Sequence, residues 1–190
     1  MSHKDAGPVT LPSKEQIEAE MKKINYRSKF LKTLVSTLSV LLVVAAVAVL
    51  LSTLLFPVVQ VSGDSMEPTF SNGDILVLIK TKEIKQGDLC CVSWQNKTLL
   101  KRVIGMPGDT VNIDQNGDVY INSVLLDEPY VSQKSLGKSE IEFPYDIPDN
   151  KYFLLGDQRE NSSDSRNSAV GCISEEQIIG KVIFRVWPFK

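Results

Sequence analysis

Ser65 is the residue around which chemistry can be built. It lies in Ser62-Gly63-Asp64-Ser65-Met66-Glu67-Pro68-Thr69, just beyond a long apolar run. Gly63 permits a tight backbone, and Pro68 stops the following residues from continuing as a helix. Such a turn can aim the Ser65 hydroxyl outward and leave backbone N–H groups free for an oxyanion. A serine nucleophile needs a base. The sole histidine, His3, falls on the far side of the apolar run, which rules out Ser-His and Cys-His machinery downstream of it. The base must then be a lysine, a variant of the usual triad logic.

Lys101 is the candidate. It follows two leucines in Leu99-Leu100-Lys101-Arg102-Val103-Ile104. Strand alternation puts Leu99, Lys101 and Val103 on one face. An amine held between Leu99 and Val103 is partly desolvated, which favours its neutral, proton-accepting form. A third segment, Gly156-Asp157-Gln158-Arg159-Glu160-Asn161-Ser162-Ser163-Asp164-Ser165-Arg166, packs hydroxyls, two arginines and three acids into eleven residues after the apolar stretch Tyr152–Leu155. It is suited to a hydrogen-bonded shelf beneath a lysine.

The elements that must position these residues read as β. Short apolar runs recur at Ile75–Ile79, Leu89–Trp94, Thr98–Ile104, Thr110–Ile113, Val119–Ile121, Tyr152–Leu155 and Lys181–Val186. Gly-Asp pairs punctuate them, and Asn116-Gly117 marks a hairpin. Regular short strands without long helical patterns predict a mainly β domain, barrel-like or sandwich-like. Residues 126–149 lack a sustained period and read as a surface excursion; Ser174–Ile179 suits one short helix. Cys90, Cys91 and Cys172 form no framework. They read as buried small apolar residues, with a bridge from Cys172 to one of the pair as the alternative.

Upstream, no charge occurs between Lys32 and Asp64, and Leu34–Phe56 is apolar apart from Ser and Thr. This exceeds the ~7–15 residues of a secretory-signal core and suffices for a ~20-residue membrane span. Lys22, Lys23, Arg27, Lys29 and Lys32 precede it; positive flanks stay inside. The expected division is a cytoplasmic tail over 1–29, an anchor over 30–56 and an outer catalytic domain over 57–190. Residues 1–56 carry 7 basic and 4 acidic side chains, residues 57–190 carry 14 and 19. An acidic outer domain argues against nucleic acid as partner. No zinc-type spacing or phosphate-binding glycine loop occurs, so no metal or cofactor is expected.

Taken together, Ser65-Met66-x-Pro68-Thr69, then Lys101-Arg102-Val103-Ile104-Gly105-x-Pro107-Gly108-Asp109, then Gly156-Asp157-x-Arg159-x-Asn161-Ser162-x-Asp164-Ser165-Arg166 resemble the successive boxes of bacterial type I signal peptidases. Gly73-Asp74 through Lys80 and Gly87-Asp88 through Val92 resemble the boxes between, and the resemblance covers roughly residues 30–190. It implies a signal-peptidase-like β-domain behind one transmembrane helix, in the cytoplasmic membrane with its catalytic domain on the outer face. It also implies a serine endopeptidase that cuts signal peptides from secretory preproteins after small residues of the Ala-x-Ala type. By position, Ser65 is the implied nucleophile and Lys101 the general base. Ser162 would orient the amine, Asp164 and Arg166 would pair, and Asp157 and Arg159 would lend support. Gly63 stands where some members carry a donating serine, which resembles the Gram-positive-like branch and leaves the oxyanion to backbone N–H. The substrate would lie extended along Val61–Asp64 and Thr98–Leu100, over shallow pockets walled by Met66, Phe70 and Leu100, with Val61 and Leu99 beside them.

Overall fold

The computed structural model describes residues 13–188. They divide into two compact units, with the boundary between Leu51 and Ser52.

The first element is one continuous helix, α1, over Lys14–Leu55. It opens on a capping box. The Gln16 N–H donates to Ser13 Oγ at 3.3 Å, and the Ser13 N–H donates to Gln16 Oε1 at 3.0 Å, satisfying donors that the first turn leaves orphaned. Pro57, which lacks an N–H, stands just past its end. The basic stretch expected to lie outside the span is therefore helical as well. At about 1.5 Å per residue α1 is roughly 63 Å long, against a ~30 Å hydrocarbon core. Among the described residues it is one helix long and apolar enough to cross a membrane, and none of its residues is buried.

The remainder is β. The strands are β1 Val58–Gln60, β2 Ile75–Ile79, β3 Leu89–Trp94, β4 Lys97–Gly105, β5 Thr110–Ile113 and β6 Val119–Ile121. They continue with β7 Val124–Leu125, β8 Tyr145–Asp146, β9 Lys151–Leu155, β10 Ile173–Ser174 and β11 Ile178–Trp187. All seven apolar runs become strands, with ends moved by at most three residues. One sheet has the order β1-β2-β11-β3-β4-β9-β10 and the other β7-β6-β5-β8. The short helix expected near Ser174 is a single 3-10 turn, Glu175–Gln177.

The strand that matters most is β4. It pairs antiparallel with β3 on one edge and β9 on the other. Val103 faces a cluster with Cys90, Val92 and Leu154, with Leu99 packed against it; Ile104 enters another with Val111, Phe153 and Leu155. Leu100 packs on a third, made of Val61, Met66, Phe70 and Leu76. Burying a Val or Ile side chain fully contributes about 1.5–3 kcal/mol, so β4 is fixed from both faces and Lys101 is fixed with it.

Residues 126–149 are tied to the domain more closely than a surface excursion would be. Glu128 and Ile147 are buried, and Leu126, Leu136, Ile141, Phe143 and Tyr145 pack on the second cluster. The backbone is irregular, so its apolar residues follow no period. Cys90 and Cys91 are both buried because β3 is covered on both faces, and all three thiols are free.

Candidate active site

Ser65 sits in the turn between β1 and β2. Gly63 holds φ +88°, a conformation side chains resist, and its N–H donates to Asn72 Oδ1 at 3.1 Å. The segment is pinned from the other side by the Gln158 N–H, which donates to the Ser65 carbonyl at 3.1 Å. Among the described residues the Ser65 N–H has no backbone partner, so a donor stands beside the hydroxyl.

Lys101 reaches this turn from β4. Its Nζ lies 2.7 Å from Ser65 Oγ, within hydrogen-bond reach, and the residue is 3% exposed. Burial pulls the amine down from its ordinary 10.5 to about 8; Arg166 adds to the depression, while Asp164 and Asp157 oppose it. At pH 7 roughly a tenth of such an amine is neutral, against roughly 0.03% at the ordinary value. The contact can therefore run in both directions: an ammonium donates to Oγ, and a neutral amine accepts the hydroxyl proton.

Gly156 lets the third segment close on Ser65. A Cβ there would collide with Ser162 Oγ and come within 2.5 Å of the Ser65 carbonyl oxygen. Ser162 Oγ is buried and has no hydrogen-bond partner among the described residues; the structure brings it beside this turn without pairing it to Lys101. Asp164 takes both Arg166 Nε and Nη2 at 2.8 Å, and accepts the Gly156 N–H at 3.0 Å. Asp157 and Arg159 each pair with a residue far along the chain. Asp157 binds Arg102, with Nε at 2.8 Å and Nη2 at 2.6 Å, and accepts from Thr69 Oγ1. Arg159 binds Glu128 through both terminal nitrogens, at 3.1 and 2.5 Å.

A cleft of about 330 Å³ runs past the pair between Val59–Ser62 and Thr98–Lys101, floored by Met66 and Cys91. Of the expected wall residues, Val61, Met66, Leu99 and Leu100 line it. Phe70 does not; it packs beneath, with Val61, Met66 and Leu76. Thr98, expected along the substrate edge, lines the cleft; Asn72 and Glu128 were not singled out from sequence, and Cys91 was not read as a cleft residue. Cys91 alone carried a signal, since alternation beside Leu100 in an antiparallel pair puts it in the cleft wall. A larger depression of about 920 Å³, lined by Lys80, Lys82, Asn150 and Glu175 among others, contains no nucleophile joined to a base. Among the described residues no three His, Cys, Asp or Glu side chains gather as a metal site would require.

A hydroxyl bonded to a buried amine at the side of a cleft is equipment that a serine hydrolase with a lysine base would use. Comparison with known proteins narrows the class. The profile of the family described as signal peptidase, peptidase S26, matches residues 34–187. Signal peptidase I S of Bacillus subtilis (strain 168) is 34% identical over 181 residues, covering 89% of this chain and 96% of that relative. Signal peptidase I T of the same strain is 36% identical over 162 residues, covering 78% and 83%. A crystal structure of a signal peptidase I from Enterococcus faecalis V583 aligns with a TM-score of 0.44 at 28% identity, covering 55% of this chain and all of that one. The chain belongs to the signal peptidase family, peptidase S26, and is a serine endopeptidase.

Proposed function

We propose that this chain removes signal peptides from secretory preproteins, with Ser65 as nucleophile and Lys101 as general base. The observation that carries the reading is the 2.7 Å contact between Ser65 Oγ and a lysine that is 3% exposed and depressed to about 8. Neutral Lys101 takes the Ser65 proton as Oγ attacks the scissile carbonyl. The oxyanion forms beside the unpartnered Ser65 N–H, with Gly63 keeping the turn open. The ammonium then returns its proton to the leaving amine, the new N-terminus of the mature protein. Water, deprotonated by Lys101, releases the signal peptide from the acyl-enzyme as a carboxylate.

The cleft supports a preference for small residues. Met66 and Cys91 line it and are themselves buried, which favours alanine at the first and third positions before the cut. An extended substrate fits between the two walls as an added strand. The apolar part of α1 serves as a single-pass anchor in the cytoplasmic membrane. The basic cluster before it holds the N-terminus inside and leaves the catalytic domain on the outer face. The anchor brings the lipid bilayer in as a second partner, and nothing in the acidic domain suits nucleic acid.

The test uses the full chain in detergent on a preprotein with an Ala-x-Ala site. Wild type should cut directly after the second alanine, read by N-terminal sequencing of the product. Ser65→Ala and Lys101→Ala should both leave the preprotein intact. Native-rate processing by either variant would sink the assignment.

A further inference from the structure

The segment Glu128-Pro129-Tyr130 reaches the catalytic pair through a chain of buried charges. The Tyr130 ring lies against the Arg102 guanidinium, 3.8 Å from Cζ to the ring centroid. Its hydroxyl donates to Glu128 Oε1 at 2.9 Å. Burial and the neighbouring Glu128 carboxylate push the phenol well above its ordinary value, so it stays a donor. Arg102 is the residue next to Lys101, and Thr69 is four residues beyond Ser65. Asp157 holds both at once, taking Arg102 in two bonds and Thr69 in one. The strand that carries the base and the turn that carries the nucleophile are thus fastened to the same carboxylate.

That fastening depends on where the guanidinium lies. Arg102 is 8% exposed and Asp157 1%, and a bidentate pair is directional: a rotated guanidinium loses one of its two bonds. On one side the Arg102 Nη1 is held by the Gly87 carbonyl at 3.0 Å. The Tyr130 ring is the flat wall beside it. A cation over an aromatic face is attracted to the ring quadrupole, more strongly when desolvated.

We propose that Tyr130 is a positioning residue for the reaction: its ring fixes Arg102 on Asp157 and thereby sets the separation of Ser65 Oγ and Lys101 Nζ. The hydroxyl bond to Glu128, clamped by Arg159, is a weaker second hold on the ring. The inference rests on the Ser65–Lys101 reading of the site. Tyr130 touches neither substrate cleft nor reacting atoms, so its loss should lower turnover and spare substrate affinity. A misplacement of reacting groups by a fraction of an ångström is felt strongly in rate.

The experiment compares Tyr130→Leu, which removes the ring, with Tyr130→Phe, which keeps it and loses the hydroxyl. Both are made in the full chain in detergent and assayed on the same preprotein, beside Ser65→Ala and Lys101→Ala. Tyr130→Leu should lower kcat about three- to tenfold with KM within twofold, and Tyr130→Phe should stay within threefold of wild type. Should the leucine variant not fold, Tyr130→Met, which fills the space without an aromatic face, answers the same question. Wild-type kcat in a folded ringless variant overturns the inference. So does an effect confined to KM, or an equal kcat loss in Tyr130→Phe. Activity surviving in Ser65→Ala or Lys101→Ala overturns instead the reading on which it rests.

Discussion

Replacing Lys101 by methionine should silence the enzyme and at the same time make it more stable. The amine is depressed from 10.5 to about 8, chiefly by burial. A difference of 2.5 pK units, at ~1.36 kcal/mol each, means that folding with a charged lysine at that position costs about 3 kcal/mol. Methionine fills a similar volume without the charge, but forfeits the contact to Ser65, worth about 1 kcal/mol. The net gain is about 2 kcal/mol, or an upward Tm shift of several degrees for a domain of this size. The pH dependence gives the sharper check. The folded-state value is lowered, so between 8 and 10.5 the unfolded chain binds the extra proton, and wild-type stability rises with pH across that window. Below about pH 8 the amine is charged in both states and the full penalty applies. The advantage of Lys101→Met should therefore be complete at pH 7 and disappear by about pH 10.5. Thermal unfolding of both full-length proteins in detergent, at pH 7, 9 and 10.5, measures it. A lower Tm for Lys101→Met at pH 7, or a gap that does not change with pH, would refute the reasoning.

Three other outcomes are expected. Wild-type kcat/KM should climb close to tenfold per pH unit below pH 8 and level off above it; a rise continuing to pH 10 in a stopped-flow cleavage series would mean that the base is not a buried amine. Ser162→Ala should leave Tm unchanged or higher, because the buried Oγ has no partner to lose, and should lower kcat up to tenfold through a bond to the Lys101 amine formed during turnover, worth about 0.5–1.5 kcal/mol; a destabilised protein with normal kcat would make Ser162 a structural residue. Gly63→Ser should slow the enzyme, since its φ of +88° costs a side-chain-bearing residue about 1–2 kcal/mol, even though a Cβ there meets nothing within 4 Å; a tenfold gain in kcat at unchanged KM would instead mean that the oxyanion site lacked a donor.

Much of the β-domain was legible because its strands are short apolar runs bounded by turn residues, a signal that needs no knowledge of neighbours. Lys101 could be placed between Leu99 and Val103 by alternation alone. Its near-complete burial could not, because that comes from β3 and β9 flanking β4 and from clusters on both faces. The ion pairs were the least readable part. Asp157 and Arg159 are two residues apart, yet each binds a partner far along the chain, Arg102 and Glu128. Partner choice among carboxylates and guanidiniums is settled by tertiary geometry and leaves no periodic trace. Glu128 was hidden for the same reason, in a segment whose apolar residues are buried by irregular backbone. Phe70 was misplaced into the cleft because an apolar residue five positions past Ser65 reads equally well as wall or as foundation.

The strand order has a consequence for how the enzyme comes into being. The last of the described strands, β11, lies between β2 and β3. Its backbone ladders to β2 and β3 join the β1–β2 half, whose connecting turn bears Ser65, and the β3–β4 half that bears Lys101 into one sheet. Until Ile178–Trp187 has left the ribosome and entered the sheet, Ser65 and Lys101 belong to two hairpins with no shared sheet. Synthesis from N- to C-terminus therefore delivers both halves before the strand that joins them, so the sheet that unites Ser65 with Lys101 closes only after both residues have been made.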